Sequence, residues 1–550
     1  MTEWLLSGHN TQETSGVMRP LTASINVTGL NAEINWTIRA FAGPKADDLD
    51  FSIPPAVTVQ SRVYLNVTYS MRNSAIVVPT DPGSIGAPKA LFEPAGPIPF
   101  SRKLGLPARL RKLYRWAERF YRNEYEEYEQ QLRSLYNVLR RAEEPPLDVI
   151  YDFFEGGLFD RSYRIGRAHI IVSMMVTIVD SVVRDKRPEL LGLFIGERTT
   201  TSMIAERIWE LRGIAQQCGP AVVELLKAGE TDFDAYRALP EARPFLEGVE
   251  AFLRMYGHRG FRYEVDLGTE RLDDHPEHVI LAVAGQLDVP LPPPERAEKA
   301  RREAEKALAQ LPLGERWFWS KFLRWGRKLI GWRENSKSLI SMRQAVIALA
   351  ARHLARHYLR TKPEDYLFFY TLQEFLDFVE SRGENRVDEA IVARRRAEFE
   401  LHSIQAPPPE LIWYDPRTGR WRPAETETKR AEVEEEAPRS FTGIPVSAGN
   451  GAVEGIALVT GDPIKAAQRL LAIKEPVILV TRFTDPAWSS LFGKLTGVVT
   501  ELGGVISHAA VVARENGLPA VVGVTNITHY VRNGQRLRID GGKGTVELLD

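Results

Sequence analysis

From Pro107 to about residue 400, apolar residues recur every three or four positions against a background of arginine and glutamate, beginning with Leu113, Trp116, Phe120 and Tyr121. That spacing predicts a series of amphipathic helices. Proline clusters at Pro290 to Pro294 and Pro407 to Pro409 punctuate it. Residues 1 to about 100 read differently. They mix turn-rich loops with short alternating runs such as Arg62 to Thr68, the pattern of a small strand-containing lobe. Between Arg422 and Arg439 there is almost no apolar residue among Glu, Thr, Lys, Pro and Ala, which is the composition of a linker. Beyond it, Gly497 to Thr500 reads as a strand entering a turn at Gly503 and Gly504, and Ala509 to Ala513 as the first turns of a helix ending near Gly517, Leu518 and Pro519.

At 550 residues, 44% hydrophobic and 26% charged, the chain is long enough for about three domains with cores of their own. A net charge of −1 gives no electrostatic case for nucleic acid as a partner. The single cysteine, Cys218, excludes an internal disulfide framework and suits a reducing cytoplasm. No N-terminal signal pattern is present. The longest near-continuous apolar stretch, Ile170 to Val179, is about half of a membrane span. The expectation is a cytoplasmic protein with no membrane partner.

The candidate chemistry centres on His508, placed where the glycine turn becomes a helix. Helix N-termini expose unpaired N–H groups that attract phosphate, and their positive end disfavours an imidazolium. A neutral imidazole beside an anion cradle suits a covalent phosphohistidine. Ser507, one residue earlier, is placed to cap the helix or to donate to phosphoryl oxygens. The turn itself is expected to be exposed.

The string around His508 supplies Gly503, Gly504, Ser507, His508, Ala509, Ala510, Ala513, Arg514, Gly517, Pro519, Ala520 and Val521 at fixed positions. It resembles the phosphohistidine swivelling domain of the phosphoenolpyruvate-utilising enzyme family. Members include pyruvate phosphate dikinase, phosphoenolpyruvate synthase, rifampin phosphotransferase and phenylphosphate synthase. Ile506 departs from the threonine usual in the dikinases. The resemblance spans residues 441–550 and implies an α/β domain. The expected organisation is an N-terminal lobe (1–100) and a mostly α-helical acceptor-binding domain (101–421), then a flexible linker (422–440) and the swivelling domain (441–550). A linker of some 18 residues reaches about 60 Å when extended, enough for a domain to visit two sites.

Looser matches lie upstream, at Thr14 to Thr22, Arg62 to Asn66 and Tyr256 to Gly260, with Glu264, Asp266, Arg271 and Pro276 following. They look like the acceptor-binding domain of rifampin phosphotransferase-type proteins. Arg333 to Lys337 resembles that family's Arg-Glu-x-x-Lys segment, in which the basic pair faces the phosphorylated histidine. The i, i+4 spacing puts Arg333 and Lys337 on one helical face, either as a clamp on a transferring phosphoryl group or as an ordinary solvated basic face. His258, between two glycines with Arg259, could take the acceptor's proton; equally, the glycines shape a turn in which His258 bonds to backbone. The resemblance makes Gly503, Gly504, Ser507 and Arg514, with Arg259, the expected phosphate-binding residues. No spacing suggests a zinc site. The aromatic cluster Trp317, Phe318, Trp319, Phe322, Trp325 and Trp332 reads as a core face, an acceptor pocket or a membrane-surface helix.

Family members that draw phosphate from ATP carry an ATP-grasp domain ahead of the helical region, and this sequence shows neither that domain nor a Walker-type loop. The resemblance then implies a split phosphotransferase component: Mg2+ and ATP on a separate ATP-grasp subunit, and an organic hydroxyl acceptor such as a phenol on this one. A water dikinase that makes phosphoenolpyruvate, or a non-catalytic phosphocarrier, are the alternative readings.

Overall fold

The computed structural model describes residues 4–7, 17–42, 52–66, 69, 106–193, 199–260, 266–289, 292–405, 408, 411–423, 438–449, 451–485, 488–489, 491–504 and 507–549. Most of the expected linker, together with Glu264 and Ile506, lies outside them. The chain forms two compact units. One comprises residues 1–172, 263–269 and 339–434; the other comprises 173–262, 270–338 and 435–550.

In the first unit, strands β1 (Trp4–Ser7), β2 (Ala56–Val59), β3 (Arg62–Asn66), β4 (Leu411–Tyr414) and β5 (Trp421–Pro423) form a sheet in the order β2-β3-β1-β4-β5. The alternation at Arg62 to Asn66 is therefore a strand. The chain around residue 411 returns to complete the sheet begun by the N-terminus, every pairing being antiparallel. Between β1 and β2 runs a helix, Pro20–Ala42, that the strand-like reading of residues 1–100 did not anticipate. Its β-branched residues and glycine are poor helix formers, and burial of Leu21, Ile25 and Ala23 holds it in place. Arg19 and Thr22, at its start, both bond to Asp266 (2.6 and 2.8 Å), so two of the looser matched segments meet.

The helix Leu158–Lys186 contains a 26-residue stretch, Leu158–Val183, apolar and long enough by composition to cross a membrane. Continuous-run counting missed it because Ser162, Arg164 and Arg167 interrupt the run. Ile165, Ala168, Val172, Met175, Val179 and Val183 form a fully buried stripe along the helix at helical spacing, as a core helix would.

The second unit pairs helices with an eight-stranded sheet, in the order β6-β13-β12-β8-β9-β10-β11-β7. Its strands are β6 (Ser440–Thr442), β7 (Ile444–Ser447), β8 (Val453–Val459), β9 (Val477–Thr481), β10 (Gly497–Thr500), β11 (Ala520–Val522), β12 (Arg536–Asp540) and β13 (Thr545–Leu548). The centre, β8 to β11, is parallel and the flanks antiparallel. Both faces of the centre are covered, which is why β9 and β10 read as unbroken apolar runs. Val477, Leu479 and Val498 face the helices Pro463–Ala472 and His508–Asn516, while Ile478, Val480 and Val499 join Leu537 and Ile539 on the other side. The sheet domain at the C-terminus and the helical bulk of the chain agree with the expected fold class.

Candidate active site

Parallel strands place their following loops on one edge, the edge where α/β sheets bind ligands. Thr481 of β9 and Thr500 of β10 are register partners, so the loops after them lie side by side. The first carries Thr484 and Ser489; the second carries Gly503, Gly504 and Ser507 and opens into the helix His508–Asn516. Gly503 adopts φ +138, which disfavours any side chain, and an added Cβ would press within 3.1 Å of Ser507 Oγ. Ser507 is the N-cap, its side chain accepting from the Ala510 N–H at 3.4 Å, and Gly517 closes the helix in the left-handed region.

His508 is the first residue of this helix. Its Nδ1 lies 2.9 Å from Thr484 Oγ1 and its Nε2 lies 3.1 Å from Ser489 Oγ. Phe492 presents an edge to the ring at 6.1 Å. The sequence pointed to an exposed turn; His508 is instead 8% exposed, because the loop after β9 folds over it. Both hydroxyls escaped the sequence reading. Thr484 falls in a stretch that resembles the family domain and Ser489 just beyond it, yet only the pairing of β9 with β10 brings either to the ring. Both hydroxyls are of a kind that donates to phosphoryl oxygens.

The other expected site residues lie elsewhere. Arg514, six residues along the helix, donates its Nε to the Val446 carbonyl at 2.9 Å and so fastens the helix to β7. Arg333 is buried and paired with Glu334 on the helix Leu313–Tyr358, with Lys337 one turn on and half-buried. His258 and Arg259 are both buried in the turn after the helix Arg243–Tyr256. Arg271 donates to the His258 carbonyl at 2.8 Å, Leu272 N–H to that of Arg259 at 2.9 Å, and Gly260 bridges Arg271. Gly257 has no room for a side chain there, since a Cβ would fall 2.3 Å from Asp273 Oδ1. Of the aromatic cluster, Trp319 is buried and Trp317 and Phe318 are exposed.

At the far end of the histidine helix, Glu515 is buried and accepts from Thr199 Oγ1 at 3.5 Å. Burial first, and then the Glu334 carboxylate, push its pKa up to about 8 against the pull of Thr199, Arg514 and Arg301. The acidic residue of the Arg333 to Lys337 segment thus faces the histidine helix two turns from His508.

Residues 473–544 match the mobile domain of PEP-utilising enzymes, and residues 167–334 match the fourth domain of rifampicin phosphotransferase. A rifampicin phosphotransferase of Streptomyces sviceus is 35% identical over 349 residues, 60% of this chain and 38% of that protein. A prodigiosin synthesizing transferase of Serratia marcescens is 28% identical over 323 residues, 56% and 34% of the two chains. A probable phosphoenolpyruvate synthase of Staphylothermus marinus is 42% identical over 126 residues, 22% of this chain and 14% of its own. The chain spans less than half the length of these curated relatives. By these matches the chain carries a mobile domain of the kind found in PEP-utilising enzymes, and ahead of it a helical segment similar to the fourth domain of rifampicin phosphotransferase.

Proposed function

We propose that the chain is a phosphotransferase component in which His508 carries a phosphoryl group from a donor to the hydroxyl of an organic acceptor. The observation that carries this reading is a ring at a helix N-terminus with a hydroxyl on each nitrogen. In the first step a ring nitrogen attacks phosphorus, and the N–P bond forms as the donor's P–O bond breaks. In the second, the acceptor oxygen attacks, O–P forms, N–P breaks and the acceptor's proton passes to a base. The N–H groups and positive end of the helix start, the turn at Gly503 and Gly504, and Ser507 stabilise the phosphoryl oxygens in this reading. His258 is the base in this reading, and Arg333 and Lys337 clamp the group in transit, with Arg259 beside the acceptor. Arg514 contributes by seating the helix.

The donor is ATP with Mg2+, held on a separate ATP-grasp subunit as in phenylphosphate synthase, and the acceptor is an aromatic alcohol such as a phenol. The segment 422–440 lets the domain 441–550 travel from that subunit to the acceptor domain, in the cytoplasm. Relatives named for rifampicin and prodigiosin chemistry support an organic small molecule as acceptor. The test is reconstitution with the ATP-grasp protein that co-purifies with the chain, followed by an acceptor screen. Alone, the chain is expected neither to hydrolyse ATP nor to bind it at micromolar concentration; tight ATP binding by this chain would contradict the split arrangement.

A further inference from the structure

Within the second unit, the segment Glu270 to His278 leads from the turn that holds His258 into the helix Glu277–Ala284. The His278 N–H donates to the His275 carbonyl at 3.1 Å, and the Val279 N–H to that of Pro276 at 3.0 Å. This tight turn folds His275 back over the start of the helix, where its ring stacks on that of His278 with centres 5.4 Å and planes 15° apart. Glu277 joins them: its Oε1 lies 3.0 Å from His275 Nδ1. One donor atom from each of His275, Glu277 and His278 lies within 4.8 Å of the other two.

Two imidazoles and a carboxylate are a donor set for borderline divalent metals. Neighbouring ligands about 2.1 Å from one ion lie roughly 3.0–3.4 Å apart, so His275 and Glu277 already stand at that separation, and a modest rotation of the His278 side chain completes the set. The other nitrogen of His275 has a carboxylate of its own, Nε2 lying 3.4 Å from Glu270 Oε2. An outer carboxylate placed in this way fixes the tautomer of a metal-ligating imidazole and leaves Nδ1 to the ion. Charge agrees with the geometry. A cation at a helix start meets the positive end of the dipole, and Glu270, Glu277 and Asp462 lie close enough to His278 to offset it. A His-x-Glu-His run is not a standard zinc spacing, which is why the sequence alone did not suggest the site.

We propose that His275, Glu277 and His278 bind one divalent transition-metal ion of the zinc type, with water at the remaining position and Glu270 orienting His275. The ion is distinct from the Mg2+ that accompanies ATP, because Mg2+ prefers oxygen ligands to imidazole. Its place in the fold gives it a structural role. Arg271 donates to the His258 carbonyl, the Leu272 N–H to that of Arg259, and the Asp273 N–H to that of Gly257 at 3.1 Å, so the backbone just before His275 holds the His258 turn. An ion that clamps His275 to the helix Glu277–Ala284 steadies that turn.

The test is calorimetric titration of the chelator-stripped, full-length chain with Zn2+, repeated in millimolar Mg2+. One Zn2+ per chain is expected to bind at about micromolar concentration or tighter, to be unaffected by Mg2+, and to raise the melting temperature. His275→Ala and Glu277→Gln are each expected to weaken that binding about tenfold or more, and Glu270→Gln severalfold. The His275 and Glu277 side chains are 33% and 35% exposed, so both variants are expected to fold. Absence of stoichiometric Zn2+ binding, competition by Mg2+, or unaltered affinity in folded His275→Ala and Glu277→Gln overturns the proposal. If those two do not fold, unaltered affinity in Glu270→Gln overturns it, that side chain being 73% exposed. Neither a partner nor His508 phosphorylation enters the measurement, so this inference and the phosphotransfer reading fall separately.

Discussion

His508 lies between Thr484 and Ser489, and that geometry governs what substitutions there should do. The hydroxyls orient the ring, and in the proposed reaction the one facing the attacking nitrogen turns to the phosphoryl oxygens as the bond forms. Thr484→Val and Ser489→Ala are each expected to slow acid-labile labelling about tenfold or more with little loss of folded protein, a hydrogen bond in a reacting complex being worth roughly 1–3 kcal/mol. Unchanged labelling rates in both would mean that the hydroxyls only fill space. His508→Gln is expected to abolish the label entirely. Because the ring is buried against Phe492, His508→Ala is also expected to cost about 1–2 kcal/mol in thermal denaturation. The histidine was legible because a long motif surrounds it in sequence. Its hydroxyl partners were not, since Ser489 becomes a neighbour only through strand pairing.

The helix His508–Asn516 is the element on which the site depends, and its punctuation was visible beforehand: a strand at Gly497–Thr500, a capping serine and a closing glycine. Ser507→Ala removes the cap and is expected to cost about 1 kcal/mol. Gly503→Ala, strained at φ +138, is expected to cost roughly 1–3 kcal/mol. Chemical denaturation of each variant checks both figures. Glu515 gives the same helix a pH dependence. Its folded pKa is raised from 4.5 to about 8, so its full contribution is present below pH 4.5 and is lost as pH rises through 8. About 3 kcal/mol should go between pH 5 and 8. Glu515→Gln, neutral throughout, is expected to flatten the stability profile of the second unit over that range; an unchanged slope would show that another group sets it. Elements whose stability comes from distant partners were harder to foresee. The helix Pro20–Ala42 forms against its own local propensity, and β4 and β5 join a sheet begun some four hundred residues earlier.

At the scale of the whole molecule, helical periodicity through the middle and a motif-bearing α/β domain at the end gave the class of architecture, and the fold agrees with it. Residues 173–262 and 270–338 share a compact unit with the C-terminal domain, while residues 263–269 and 339–434 fall with the N-terminal lobe. A chain-order reading could not anticipate that interleaving, because two of the boundaries fall inside continuous helices, Leu158–Lys186 and Leu313–Tyr358, where the sequence carries no break. The chemistry proposed for this arrangement stands or falls on whether His508 carries phosphate to an alcohol. The direct measurement uses the chain with the ATP-grasp partner proposed for it and labelled ATP: acid-labile phosphate on the chain, its position by mass spectrometry, and its discharge on adding acceptor. The expected result is one acid-labile phosphoryl group on His508 that disappears as an equal amount of phosphate ester forms. Steady turnover by the same complex carrying His508→Gln would contradict the account.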